Sequence, residues 1–371
     1  MRTPVLEVGR RDFGVTRLID HDLGELADGA VRLRVERYAV TANTITYAAV
    51  GDMLDYWGFH PSGDPDWGRV PAMGWAEVVA SNHPDVEVGT RVYGWVPMAK
   101  HFDLTVSVGA TGLRDDGPHR VEHAPVYRTF EDTTKDPLHP GVIDPARTAE
   151  ELTDLEDRHA LLRGLFATGF LADQFFAVND YFGATHVAVL SASSKTAIGY
   201  AACASRRDLN LVGITSPGNV DAVTALGLYD SVSTYDDAPG AIGTDVTAAI
   251  VDMAGNGAAL AALHDSLGDR IAYSMAIGRS HHDAPPAAPS KGPQPQLFFA
   301  PMALSALSEG GVDTAETQKR MGAEMDDFIV GSHDWLTVER SSGPAAAEQT
   351  WHDVYNGDVP PSIGRITSLN D

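Results

Sequence analysis

Ser193, Ser194, Lys195 and Thr196 stand side by side, three hydroxyls and one cation in a row. Hydroxyls donate to phosphate oxygens and an ammonium adds charge, so this stretch carries the donors for a phosphate group. Turns that hold nucleotide phosphates usually rely on glycine, as G-x-x-G-x-x-G or G-x-G-x-x-G, because the bare backbone can approach closely. Here the corresponding register is Ser193-x-x-Thr196-x-x-Gly199, and only the last glycine is retained. Either the side chains stand in for the missing glycines, or this is a serine-rich turn that binds nothing.

The elements around the stretch decide what it could hold. Residues 186–190 are short, apolar and β-branched, which suits a buried parallel strand. Residues 197–204 are small and apolar, a helix whose first N–H groups and positive dipole end would face back into the turn. Residues 209–214 supply a second strand, completing the layout of a nucleotide-binding βαβ unit. The rhythm continues with a helix over 219–226 and strands within 227–235, 248–253 and 270–278. The linker 279–295 is expected to end the sheet, and 297–371 to mix helix with short strands.

Upstream, residues 30–36 alternate apolar and polar side chains, and 70–81 and 87–95 are β-rich and punctuated by glycine, with a turn at 82–85. A small β barrel is the expectation there. Residues 107–158 are rich in Pro, Gly, Asp, His and Thr without periodicity, so they read as a long functional loop or as disorder. A helix is expected over 147–182.

The chain has 371 residues, room for two domains. Lys and Arg number 27 against 51 Asp and Glu, so the net charge of −24 argues against nucleic acid and anionic membranes as partners. Cys203 is the only cysteine, which excludes an internal disulfide and a cysteine-built zinc site. His101, His119, His123, His139 and the pair His281-His282 fall mostly in expected loops rather than on a helix that would bring an H-x-x-x-H pair to one face, so no catalytic metal is expected. The N-terminal residues lack the apolar core of a signal peptide, and no unbroken run approaches the ~18–20 apolar residues of a membrane helix, so a cytoplasmic location is expected.

Six segments in order, TANTITYAAVGD, VPAMGWAEVVAS, SASSKTAIG, VGITSPGNV, ALGLYDSVSTYD and QLFFAP, resemble the medium-chain dehydrogenase/reductase superfamily and, more closely, its DUF2855 branch. The resemblance implies an α/β protein with a GroES-like β-barrel domain over 1–160, the insertion 107–158 included. It further implies a Rossmann domain with a doubly wound parallel sheet binding NADP over 161–300, and a return to the first domain over 301–371. In that superfamily hydride transfer takes place between the two domains. Zinc-dependent members carry P-G-H-E where this chain has Pro71-Ala72-Met73-Gly74, so Met73 and Gly74 replace the histidine and the acid. The chain is therefore similar to the zinc-independent quinone oxidoreductases and enoyl reductases, which pass hydride from NADPH to a quinone or an activated C=C.

The same resemblance makes Tyr47 the proton donor, with Asn43 binding a substrate carbonyl or ordering a water and Tyr56, Asp52 and Trp57 lining the pocket. Packing of the barrel is the other use of these aromatics. NAD enzymes place a carboxylate at the end of the second strand, whereas this chain has Thr215, Ser216 and Asn219, which admit a 2′-phosphate and favour NADPH. Tyr235 is implied beside that phosphate, and Gly278, after a late strand that includes Ser274 and Ala276, beside the nicotinamide. A zinc-independent ketone or alcohol oxidoreductase and a non-enzymatic NADPH-binding protein are the alternatives. A small-molecule substrate and a homodimer are the expected partners.

Overall fold

The computed structural model describes every residue except 244, 254, 279–288, 301, 304–312 and 371. It divides into two compact units, one formed by Met1–Leu161 with Ser332–Asp371 and the other by Leu162–Gly331.

The first unit begins with β1 (Arg2–Gly9), β2 (Thr16–Asp22), β3 (Ala30–Val40) and the helix α1 (Ala42–Ala49). Next come β4 (Trp67–Gly68), β5 (Pro71–Ser81), β6 (Arg91–Pro97), β7 (His101–Val108), β8 (Gly112–Asp115), α2 (Pro125–Arg128), β9 (Thr129–Asp132), α3 (Pro140–Ile143) and the long helix α4 (Ala149–Val178). Strands β3, β5, β6, β9, β8 and β7 pair antiparallel in that order, and β7 returns to β3, closing a six-stranded barrel. Leu33, Val35, Val78, Val92, Phe102 and Phe130 are buried in its core, each such side chain contributing about 1.5–3 kcal/mol. Closure needs glycine at Gly112, where a Cβ would run into the backbone of β9 around Phe130 and Glu131.

The stretch 107–158 is therefore not a loop without structure. It supplies β8 and β9, two of the strands that close the barrel, and the short helices α2 and α3. Strands of four residues carry too little alternation to stand out from proline- and glycine-rich neighbours.

The second unit holds β10 (His186–Leu190), α5 (Lys195–Ala204), β11 (Asn210–Thr215), α6 (Val220–Ala225), β12 (Ser231–Thr234), α7 (Ala238–Ile242), β13 (Ala248–Asp252), α8 (Gly257–Leu267), β14 (Ile271–Ala276), β15 (Gln296–Leu297) and α9 (Thr314–Gly331). All its strand pairs are parallel, in the order β12-β11-β10-β13-β14-β15. Numbered along the chain this is 3-2-1-4-5-6, the doubly wound order with its switch point beside β10. Every residue of β13 is buried, as expected for a parallel strand covered on both faces. The sheet does not end at the linker, since Gln296 and Leu297 add a sixth strand beside Met275 and Ala276. Two residues are too few for any sequence pattern to announce.

The chain then returns to the first unit with β16 (Thr337–Ser342), α10 (Pro344–Tyr355) and β17 (Ile363–Ser368). There β17 pairs antiparallel with β3 and parallel with β16. The unit boundary falls inside α4, which contains an 18-residue window apolar enough to cross a membrane. No unbroken apolar run had marked it, because scattered charges interrupt the sequence. Of that window 61% is buried within the protein, as in a core helix.

Candidate functional site

At the switch point the chain leaves β10 through Ser191, whose φ of +58° lies in the left-handed region usually given to glycine. Its Oγ lies 3.0 Å from the Tyr235 hydroxyl. Ser194 caps α5, its Oγ accepting from the Ala197 N–H at 3.2 Å, so that hydroxyl is engaged with the helix. Ser193 Oγ accepts from both the Thr215 hydroxyl and the Asn219 side-chain amide, each at 3.2 Å, and Asn219 also reaches Ser216 Oγ at 3.3 Å. Ser193, Thr215, Ser216 and Asn219 thus form a polar cluster at the carboxyl ends of β10 and β11, and Ser191 and Tyr235 form a separate pair. Thr196 is buried in the first turn of α5. Lys195, at its first position, has its ammonium pulled down to about 8 by burial.

Gly199 is placed differently from what its spacing suggests. It lies within α5, where a Cβ would stand 3.1 Å from Phe166 Cα of α4, and Gly169 of α4 meets the Tyr200 backbone in the same crossing. Its missing side chain makes room for a helix. The tight position is Ser191, two residues ahead of the register read from the sequence; its signal was that it directly follows the last strand residue. Gly278 lies just past the end of β14, whereas Ser274 is buried and engaged by His264 Nε2 at 3.0 Å.

In the first unit Asn43 and Tyr47 lie four residues apart on α1 and so share a face. The helix begins with a capping box in which the Thr41 N–H donates to Thr44 Oγ1 at 3.0 Å. Asn43 hydrogen-bonds the Tyr47 hydroxyl, while burial holds that phenol well above its ordinary range. The Tyr47 ring packs 4.9 Å from Tyr56 and 5.1 Å from Trp95. The Tyr56 hydroxyl lies 3.1 Å from that of Tyr127, on α2. Burial raises both, Tyr127 to about 12 and Tyr56 further.

Tyr127 and two residues that support it were not found by sequence reasoning, because all come from 107–158. Arg120 is fully buried, with its guanidinium 4.0 Å over the Phe59 ring and 3.4 Å from Asp115, and it donates to the Tyr127 carbonyl. Burial depresses it to about 10. His123 Nε2 lies 3.0 Å from Asp55 Oδ2, and Asp55, at φ +54°, is the left-handed residue that turns the chain into Tyr56. Only Pro125, at the start of α2, hinted at an element here.

Asp52 and Trp57 do not join this group. Asp52 pairs with Arg10 at the surface, and Arg10 lies 5.5 Å over Trp57, which is buried against Gly51 and Gly68. Met73 and Gly74 are on β5, where a side chain at 74 would strike the Arg37 carbonyl and Tyr38. Among the described residues no three of His, Cys, Asp and Glu come together as a metal site. His101 is tied to Thr3 and His139 to Glu156, and His281-His282 lies outside the described residues.

The first unit is thus built on a closed six-stranded barrel and the second on a 3-2-1-4-5-6 parallel sheet. The chain belongs to the family described as "Protein of unknown function (DUF2855)", whose profile matches residues 38–360. No curated protein sequence matches the chain. Among solved structures it is similar to CurA in complex with NADPH from Vibrio vulnificus, with 13% identity, a TM-score of 0.58 and 99% of each chain covered. It is also similar to a mutant enoyl thioester reductase from Candida tropicalis, with 13% identity, a TM-score of 0.57 and coverage of 99% and 100%. A quinone oxidoreductase from Coxiella burnetii matches with 11% identity, a TM-score of 0.52 and full coverage of both. At such identities the likeness is one of fold.

Proposed function

We propose that the chain is an NADPH-dependent, zinc-independent oxidoreductase that reduces an activated C=C of an enone or enoyl compound, or a quinone. The observation that carries this reading is the polar cluster at the ends of β10 and β11, Ser193 with Thr215 and Asn219, on the same turn as the Ser191–Tyr235 pair. It lies at the switch point, where doubly wound sheets bind dinucleotides. No carboxylate stands at the end of β11 to repel a 2′-phosphate, so the residues present fit NADPH better than NADH. The solved structures of like fold support it, one of them being an NADPH complex.

On this reading the first turn of α5, with Ser193, Ser194 and Thr196, holds the pyrophosphate, where unpaired helix N–H groups favour an anion. Lys195, Ser216, Asn219 and Tyr235 hold the 2′-phosphate with Thr215 beneath them, and Gly278 leaves room beside the nicotinamide. NADPH, when bound, supplies the hydride. Tyr47 holds the proton: burial keeps its hydroxyl protonated at neutral pH, Asn43 orients it, and Tyr56 lines the substrate's side.

Calorimetric titration with NADPH and NADH, alongside Lys195→Ala, tests the reading. Micromolar NADPH binding, tighter than NADH and weakened roughly tenfold or more by the substitution, is the expected result. Binding of neither nucleotide refutes it, and binding without consumption of NADPH by enones, quinones or ketones leaves a non-enzymatic binder.

A further inference from the structure

Tyr235 directly follows β12, yet its hydroxyl is held by residues that follow two other strands. Ser191, after β10, meets it through Oγ at 3.0 Å and through its backbone N–H, and Asn256, after β13, meets it through its side chain. Asn256 also caps α8, its Oδ1 accepting from the Ala259 N–H at 3.2 Å. In the order β12-β11-β10-β13 the ends of β12 and β10 lie about 10 Å apart, two strand spacings. The tyrosine side chain therefore reaches over the carboxyl end of β11, the strand that carries Thr215. Its ring packs against the core of this unit, and burial raises the phenol, which keeps its hydrogen at neutral pH.

A phenolic hydroxyl has one hydrogen to give and two lone pairs to receive with. The three bonds to Ser191 and Asn256 use that capacity in full, whichever way the hydrogens run. A phosphate oxygen only accepts, and the Ser191 N–H only donates. The Tyr235 hydrogen can thus reach a phosphate only by leaving Ser191 Oγ or the Asn256 side chain.

We propose that Tyr235 is a latch over the switch point, whose hydroxyl gives up Ser191 or Asn256 in exchange for the 2′-phosphate of NADPH and stays closed with NADH, which has no such phosphate. The proposal rests on the reductase reading for its nucleotide. Ser191 and Asn256 are then positioning residues, which act on the nucleotide through Tyr235. The bonds that close the latch lower the apparent affinity for NADPH, because they have to be broken when it binds. Removing one of them should tighten NADPH binding, the opposite of what loss of a direct contact does.

The test is calorimetric titration of the full chain with NADPH and with NADH, in the parent, Ser191→Gly, Asn256→Ser and Tyr235→Phe. Glycine suits the left-handed φ at 191, and serine still caps a helix at 256, so both latch variants keep the local backbone. The ratio of NADPH to NADH affinity should rise roughly two- to tenfold in each, the equivalent of one hydrogen bond, with NADH binding unchanged as the sign of a folded chain. It should fall in Tyr235→Phe, where adding Ser191→Gly then changes nothing. No rise in either latch variant, or an equal rise for both nucleotides, overturns the latch while NADPH binding by the parent leaves the reductase reading standing. A parent chain that binds neither nucleotide overturns both. The expected rise in a chain that consumes NADPH with no acceptor would keep the latch and remove the reductase.

Discussion

The turn after β10 and the group around Tyr56 both assemble hydroxyls, and they do so by opposite means. The turn takes most of its polar residues from one contiguous stretch and the ends of two adjacent strands, linked by small side chains. The tyrosine group joins residues up to 80 positions apart, Tyr47, Tyr56, Trp95 and Tyr127, through ring contacts and a buried guanidinium. The first is polar and open to an anion. The second is apolar, and its phenols are driven up by burial, so they remain neutral donors. Hydroxyls near a helix N-terminus suit a phosphate, whereas hydroxyls among rings suit a neutral oxygen.

Removing the proton donor should give the largest effect. Tyr47→Phe keeps the ring between Tyr56 and Trp95 and deletes only the hydroxyl held by Asn43. Turnover is expected to fall by roughly 10²- to 10⁴-fold in steady-state assays, with NADPH affinity unchanged. An unchanged kcat would reduce Tyr47 to packing and leave the phosphate turn as the only chemically active half of the comparison.

The contrast also explains what could be read in advance. The strand at 186–190 and the neighbouring one near 209–214 agree with β10 and with β11 to within a residue, and four of the polar residues singled out around them, Ser193, Thr215, Ser216 and Asn219, are hydrogen-bonded together. Contiguity made that possible, because a short apolar run followed by a small-residue turn is a local signal. Ser191 escaped because its conformation is set by the turn, and Gly199 misled because glycine also marks the closest approach of two helices. Tyr127 was illegible for a different reason: no local pattern tells which ring in a proline-rich stretch will meet a tyrosine 71 residues earlier.

The next effect in size concerns the support of the tyrosine group. Arg120→Met removes a guanidinium buried against Asp115 and leaves that carboxylate without its cation. Breaking one side of a buried pair costs about 3–5 kcal/mol, which urea unfolding would measure, and amide exchange should rise in β8, α2 and β9. A loss below about 1 kcal/mol would mean that the rings alone hold the segment, bringing it closer in character to the rest of the barrel core.

In the turn the corresponding charge is Lys195, and its effect should depend on pH. Burial lowers its ammonium to about 8, so the site is cationic below that value and neutral above it. A 2′-phosphate is already doubly charged there, so NADPH affinity should be highest below pH 8 and roughly tenfold weaker by pH 9. Calorimetry across this range should show the decline in the parent chain and a flat response in Lys195→Met. The same decline in both would assign the titration to another group. The tyrosine group offers no such lever, since its hydroxyls stay protonated throughout.

The smallest effect tests whether the turn stores strain as Asp55 does beside Tyr56. Ser191 at φ +58° carries a penalty of about 1–2 kcal/mol that glycine would not, offset by the extra freedom glycine gains in the unfolded chain, about 0.5–1 kcal/mol. Its hydrogen bond to Tyr235 returns about 1 kcal/mol. Ser191→Gly should therefore leave stability almost unchanged in the parent chain but raise it by about 0.5–1 kcal/mol in a Tyr235→Phe background, where that bond is already gone. A double-mutant cycle by urea unfolding reads the difference directly. A coupling near zero would mean that the hydrogen bond does not compensate the strain, and that the serine is retained there at a cost which only ligand binding can explain.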